Sequence, residues 1–202
     1  MRSTRPRTNE LVDKPLQTTL ADAILFVEQY QIPYALIGGL AASLQGEPRV
    51  TADVDAVIDC SLEDASKLIG HLDGSAFDPL FAGVDEVVQQ SFILPLRHRQ
   101  TGVKVDLSIG LSGFERQLIE RAELVTVAGR SLRIATAEDL VVMKLLAGRP
   151  RDIQDAQGIA TVRGTQMDWS YCQMTAAELG SAVDQDLTSQ VEKLKAESSP
   201  DE

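Results

Sequence analysis

Two aspartates separated by one residue carry the clearest chemical signal in this sequence. Asp53 and Asp55 stand in residues 51–60, where acidic and apolar residues alternate. Because successive side chains of a strand point to opposite faces, the alternation predicts a strand with both carboxylates on one face. Such carboxylates repel each other unless a cation lies between them, and Mg²⁺ prefers oxygen ligands of this kind. A solvated acidic face of an edge strand is the alternative that the pattern leaves open.

A glycine pair, Gly38 and Gly39, follows a short apolar run and precedes a segment rich in helix formers. Glycines at a strand-to-helix junction let a phosphate approach the backbone, and the N-terminus of the helix offers free N–H groups. The pair lacks the spacing of a Walker loop and the third glycine of a dinucleotide-binding turn. A simple tight turn would also explain it.

A third aspartate, Asp106, lies between Val105 and Leu107 in a later extended run. A carboxylate with apolar neighbours on both sides is costly unless it is paired or liganded. Acids on neighbouring strands can hold two metal ions, and one of the acids can also accept the proton of a hydroxyl group.

A lysine and two aspartates form a second group in the C-terminal part. Lys144 interrupts the apolar run of a predicted helix, residues 137–148, and helical spacing places it near the interior. A buried ammonium must meet an anion, and the candidates are a nucleotide triphosphate, Asp152 or the strand carboxylates. Asp152 and Asp155 share a helix face and are expected to form ion pairs with nearby basic residues. Arg49 either neutralises a phosphate or is simply solvated.

The elements that must position these residues alternate between helical and strand periods. Predicted helices cover residues 17–31, 40–46, 62–72, 113–124 and 137–148, with further helical pieces between 150 and 195. Predicted extended runs cover residues 34–39, 51–60, 87–99, 103–110 and, as a hairpin, 125–135. This order predicts an α/β (α+β) protein of two or three layers with a helical C-terminal part. Both histidines, His71 and His98, are expected to be exposed.

Composition limits the classes of function. The 202 residues are 44% hydrophobic and 24% charged, which is typical of a folded globular protein. The net charge of −11 and the small number of aromatic residues argue against a broad nucleic-acid surface. No segment has the pattern of a signal peptide or a membrane span, so a cytoplasmic location is expected. We predict four parts, which are a flexible tail (1–16), an α/β core (17–136), a helical part (137–195) and an acidic tail (196–202).

The motifs, taken in order, resemble the signature of the polymerase-β-like nucleotidyltransferase superfamily. The resemblance rests on the Gly38-Gly39 pair, the Asp53-Val54-Asp55 motif and Asp106, and it extends from about Tyr34 to Asp155. It is closer still to the bacterial AbiEii/AbiGii-type toxin nucleotidyltransferases. Two further features carry that closer likeness, namely Arg49 and Thr51 before the acid pair, and the helix of Lys144 followed by a segment of basic residues and aspartates. The fold implied is a nucleotidyltransferase-like mixed sheet with flanking helices.

The resemblance also implies an activity. A nucleoside monophosphate would pass from an NTP to an acceptor hydroxyl, on an RNA such as tRNA, with a toxin role and an antitoxin protein as partner. In the implied site, the catalytic acids that bind two Mg²⁺ ions are Asp53, Asp55 and Asp106. The nucleotide contacts are Gly38, Gly39, Thr51 and Lys144. The supporting residues are Arg49, Asp152 and Asp155. Two alternatives stay open, a non-catalytic binding module of the same fold and transfer to a small-molecule or protein hydroxyl.

Overall fold

The computed structural model describes residues 12–198, which form two units. The first unit consists of residues 12–40 and Val50–Ile134, and the second consists of Ala41–Arg49 and residues 135–198. Most of the two predicted tails, residues 1–11 and 199–202, lies outside the described residues.

A mixed seven-stranded sheet forms the centre of the first unit. The strands are β1 (Tyr34–Leu36), β2 (Asp53–Ile58), β3 (Phe77–Pro79), β4 (Ile93–His98), β5 (Lys104–Ile109), β6 (Glu123–Val127) and β7 (Arg130–Ile134). Their order in the sheet is β3-β4-β5-β2-β1-β7-β6. β2 pairs with β5 and β1 pairs with β7 in parallel, whereas the other neighbours are antiparallel. The mixed sheet that the resemblance implies is therefore confirmed.

Helices alternate with these strands along the sequence of the first unit, and helices make up most of the second unit. They are α1 (Lys14–Gln29), α2 (Gly38–Gln45), α3 (Leu62–Gly70), α4 (Val84–Ser91), α5 (Gly113–Arg121), α6 (Ala137–Ala147), α7 (Pro150–Arg163), α8 (Trp169–Val183) and α9 (Leu187–Ser198). Their ends follow ordinary capping chemistry: Asp13 accepts a hydrogen bond from the Leu16 N–H at the start of α1, and Gly148 ends α6 with φ of +66°. Within residues 12–198, no helix is both long enough and apolar enough to cross a lipid bilayer.

One predicted extended run, residues 87–99, is only partly extended. Its first residues belong to α4, and β4 begins at Ile93 after Phe92, whose φ of +57° ends the helix. The β-branched residues favour a strand, but Val84 and Val88 are four positions apart and both buried, which is the spacing of a helix face. Burial of that face decides the local structure.

His98 is also placed differently from the expectation. It is 2% exposed, its Nε2 lies 2.9 Å from Asp22 Oδ2, and its Nδ1 accepts a hydrogen bond from the Thr101 N–H. Two arginines flank it in the sequence, but Arg97 is exposed and the alternation of β4 turns His98 to the opposite, buried face. His71, in contrast, is exposed as predicted.

Candidate active site

Strands β2 and β5 place three carboxylates on one face of the sheet. In their parallel register Asp55 is the partner of Asp106, and Asp53 is the partner of Lys104. Register partners on neighbouring strands point to the same face, with backbones about 4.8 Å apart. The residues between them in both strands are buried valines, so the acids occupy the other face. We call Asp53, Asp55 and Asp106 the acid face.

Gly38 fits closely against Asp55. It begins α2 with φ of +67°, and a Cβ atom built on it would lie 2.0 Å from Asp55 Oδ2. The N–H of the preceding residue, Ile37, donates to the Asp55 carbonyl oxygen at 2.9 Å. Glycine is therefore needed here twice, for its backbone conformation and for the space that the carboxylate occupies. Gly39 follows in the same first turn and is buried.

Asp106 has a partner that the sequence analysis did not single out. The Lys104 ammonium lies 2.6 Å from Asp106 Oδ2, whereas Oδ1 is buried and has no hydrogen-bond partner. The signal was present in the sequence, because a lysine two positions before an aspartate in a strand shares its face. The carboxylate is thus half satisfied, which is costly for a buried oxygen.

Thr51 orients the remaining acid. Its Oγ1 donates a hydrogen bond of 3.0 Å to Asp53 Oδ1, just before β2 begins. Both side chains are half-buried. The threonine that the resemblance assigns to the nucleotide therefore holds Asp53 in this structure.

The donor set of the acid face fits a hard divalent cation. Carboxylate oxygens are the ligands that Mg²⁺ prefers, and the unpartnered Oδ1 of Asp106 has capacity for a further interaction. In the part of the chain that the structure describes, no three histidine, cysteine, aspartate or glutamate side chains converge as a ready-made metal cluster. The fit to the ion thus rests on the type of ligand atom and on the position of the acids on one face of the sheet. Asp55 and Asp106, which are register partners, are at its centre.

The second unit contains a network of buried charges. Lys144 is 8% exposed and its ammonium lies 2.9 Å from Asp152 Oδ1 and 2.8 Å from Asp155 Oδ2. Arg49 donates to Asp155 through Nε and, at 2.8 Å, through Nη2. Arg149 donates to both oxygens of Asp152. We call these five residues the buried charge network after its three buried members, Lys144, Asp152 and Asp155, whereas Arg49 is half-buried and Arg149 is exposed. Lys144 lies in the interior as its helical position predicts.

The electrostatics of this network keep its acids ionised. Burial acts to raise the pKa of Asp152, but hydrogen bonds from Arg149 and Lys144 and their positive charges outweigh it, so the pKa is lower than usual. The pKa of Asp155 is also lowered, because Arg49 and Lys144 outweigh the opposing effect of burial. A carboxylate held by two cations favours its charged form.

The ten residues implicated by the sequence divide between the two units. The first unit holds the acid face and its neighbours, namely Gly38, Gly39, Thr51, Asp53, Asp55 and Asp106, and the second holds Arg49, Lys144, Asp152 and Asp155. Within the first unit, sheet register and the start of α2 bring Gly38, Asp55 and Asp106 together. Within the second unit, Lys144 pairs with both Asp152 and Asp155, and Asp155 also pairs with Arg49.

A known protein family covers most of the chain. A family model described as "Nucleotidyltransferase of unknown function (DUF6036)" matches residues 16–196. No curated protein matches the chain at a significant level.

Solved structures are similar to the chain at low sequence identity. The lincomycin-bound lincosamide antibiotic adenylyltransferase LnuA is 16% identical over 75% of this chain and 98% of its own, with a TM-score of 0.50. The antibiotic-resistance factor ANT(2'')-Ia is 13% identical over 89% of this chain and 88% of its own, also with a TM-score of 0.50. An antigenic nucleotidyltransferase-like protein from Paracoccidioides brasiliensis is 21% identical over 86% of this chain and 91% of its own, with a TM-score of 0.49.

Proposed function

The chain belongs to the nucleotidyltransferase family DUF6036, and on that basis we propose that it transfers a nucleoside monophosphate from an NTP to an acceptor hydroxyl. The observation that carries the proposal for this site is the register pairing of Asp55 with Asp106, beside the start of α2 at Gly38. It joins paired carboxylates, which suit divalent ions, to a helix N-terminus, which suits phosphate.

The reaction needs little covalent help from the protein. The acceptor oxygen bonds to the α-phosphorus, the bond from that phosphorus to the bridging oxygen of the β-phosphate breaks, and pyrophosphate leaves. Positioning and charge neutralisation supply most of the rate in such transfers. The hydroxyl proton needs an acceptor, and Asp106 is our candidate because its Oδ1 has no hydrogen-bond donor.

Asp53, Asp55 and Asp106 would hold the divalent ions, which are two Mg²⁺ ions in the resemblance. When bound, such ions neutralise the triphosphate and orient the acceptor. Thr51 keeps Asp53 in place through its hydrogen bond. Gly38 leaves the room that Asp55 occupies, and with Gly39 it would present the first N–H groups of α2 to a phosphate.

Lys144 remains a candidate nucleotide contact in this proposal, with Arg49, Asp152 and Asp155 as its support. Its ammonium already has two carboxylate partners, so a nucleotide would have to compete with them or to share the charge. Measuring NTP affinity and folding stability in the same variant separates these roles, as described below.

Two classes of acceptor follow from different observations. The resemblance favours RNA such as tRNA, with a toxin role and an antitoxin protein as partner. The net charge of −11 favours a small-molecule hydroxyl instead, because an acidic protein repels a phosphate backbone. LnuA is named for adenylyl transfer to a small molecule, which is consistent with that second candidate. We propose the small-molecule hydroxyl as the acceptor to test first.

The test is incubation of the purified protein with Mg²⁺ and each of four NTPs labelled at the α-phosphate. One arm contains total tRNA, and the other contains a pool of small hydroxyl compounds, including aminoglycosides and lincosamides. Label on a small molecule supports our proposal, whereas label on tRNA establishes the RNA alternative. Absence of label in both arms, with Mg²⁺ and NTP binding intact, would favour a non-catalytic binding module.

A further inference from the structure

Lys104 is a basic side chain on the acid face that the proposed transfer reaction does not use. It is the register partner of Asp53, and its ammonium forms the 2.6 Å ion pair with Asp106 Oδ2 two positions further along β5. The face proposed for metal ions thus includes a cation of its own.

This ion pair satisfies the acid face only in part. The ammonium contacts Oδ2 of Asp106, while Oδ1 of the same carboxylate stays buried without a partner. A divalent ion carries twice the charge of an ammonium and accepts several oxygen ligands at once. The Asp106 carboxylate therefore has oxygen capacity for a stronger cation than the lysine.

The lysine is also able to leave. Its side chain is 42% exposed, whereas that of Asp106 is 21% exposed, so the ammonium can return to water on its flexible stem at small cost. Movement of Lys104 away from Oδ2 frees that oxygen for a metal ion without any change in the sheet register.

We propose that Lys104 is a resident counter-ion that positions Asp106 in the metal-free protein and competes with a divalent cation for its carboxylate. The inference rests on the proposed function in one respect only, the assignment of the acid face to metal ions. Lys104 is a positioning residue in this account, because it acts on the reaction through Asp106. Its presence makes the affinity for divalent metal weaker than the carboxylates alone would give.

The test measures Mn²⁺ binding to the full chain without nucleotide, by the electron paramagnetic resonance signal of free Mn²⁺. Lys104→Met is expected to bind Mn²⁺ up to about fivefold more tightly, the factor that corresponds to the loss of one competing ion pair at a partly exposed site. Lys104→Arg keeps the charge and should bind like the wild type. Lys67→Met removes an exposed lysine that pairs with Glu63 and Asp64 elsewhere in the first unit, and it serves as the control.

Unchanged or weaker Mn²⁺ binding by Lys104→Met, with binding lost in Asp106→Asn, would overturn the inference and leave the metal site standing. Absence of Mn²⁺ binding in both the wild type and Lys104→Met would contradict the metal assignment and the inference together. Lys104→Gln is measured in parallel, so that the answer does not depend on one variant folding. A second readout is thermal unfolding, in which saturating Mn²⁺ should raise the Tm of Lys104→Met by more than that of the wild type.

Discussion

Asp55 and Asp106 stand opposite each other on the parallel strands β2 and β5 and point to the same face of the sheet. Their backbones come from distant parts of the sequence, and only the strand order brings the two carboxylates side by side. Gly38 closes one side of Asp55, and Lys104 neutralises part of Asp106.

Asp55→Asn should reduce nucleotidyl transfer by at least about 100-fold, the scale seen when one group that stabilises transition-state charge is removed. The fold should survive, because the amide has nearly the same size and fits the space beside Gly38. Loss of repulsion with Asp106 should leave the urea midpoint of the metal-free protein equal or higher. Asp78→Asn, which removes an exposed partner of Arg99, is the control. Near-normal turnover in Asp55→Asn with unchanged melting would remove Asp55 from the site.

Gly38→Ala should destabilise the protein by more than Gly102→Ala. Both glycines have positive φ, +67° and +73°, so both variants carry a backbone strain of about 1–3 kcal/mol. At Gly102 nothing lies within 4 Å of the added Cβ, whereas at Gly38 that atom would overlap Asp55 Oδ2. The measurement is the urea midpoint of each variant together with its Mn²⁺ affinity. Equal destabilisation in the two variants would show that Asp55 does not restrict residue 38.

Lys144→Met should lower the free energy of unfolding by about 3 kcal/mol, which is the low end for breaking a buried ion pair. The low end applies because Arg149 and Arg49 still partner Asp152 and Asp155 after the change. Lys193→Met, at an exposed site 3.9 Å from Glu197, is the control and should have little effect.

NTP affinity of the folded Lys144→Met protein decides the second role of this residue. Weaker NTP binding keeps Lys144 among the nucleotide contacts, and unchanged NTP binding assigns it to the buried charge network alone. An unchanged urea midpoint would contradict the network's contribution to stability.

Low pH should reduce the stability of the protein through protonation of Asp155. Its pKa in the folded protein is below the ordinary value, so the folded state loses stability when protons bind, and the contribution is fully present above the unfolded value of about 3.9. As the pH falls below about 4, through that value and then through the lowered one, the contribution is lost. The urea midpoint of the wild type should therefore fall more steeply between about pH 5 and pH 2.5 than that of Asp155→Asn. Parallel curves would contradict the ion-pair assignment.

The sequence predicted those parts of the site that depend on local pattern. Alternation in residues 51–60 placed Asp53 and Asp55 on one face of a strand, and the glycine pair marked a junction that the structure confirms as the start of α2 at Gly38. A periodic pattern reports a face directly, because the backbone geometry fixes it.

The parts that depend on strand order could not be read in the same way. The pairing of Asp55 with Asp106 requires β5 to lie beside β2, and nothing within either segment specifies that neighbour. The ion pair of Lys104 could have been predicted from its spacing, because residues two positions apart in a strand share a face. The contact between Arg49 and Asp155 could not be predicted either, because these residues are far apart in the sequence and only the packing of the second unit brings them to hydrogen-bond distance.

The central claim is that the acid face cleaves an NTP between its α- and β-phosphates and transfers the nucleoside monophosphate to an acceptor hydroxyl. The most direct measurement follows one NTP labelled separately at the α- and γ-phosphates, with Mg²⁺ and acceptor, in the wild type and in Asp106→Asn. The account predicts α-label on the acceptor and γ-label in released pyrophosphate for the wild type, and neither product above background for Asp106→Asn. Transfer of the γ-label to the acceptor, or equal α-label transfer by a folded Asp106→Asn protein, would contradict it.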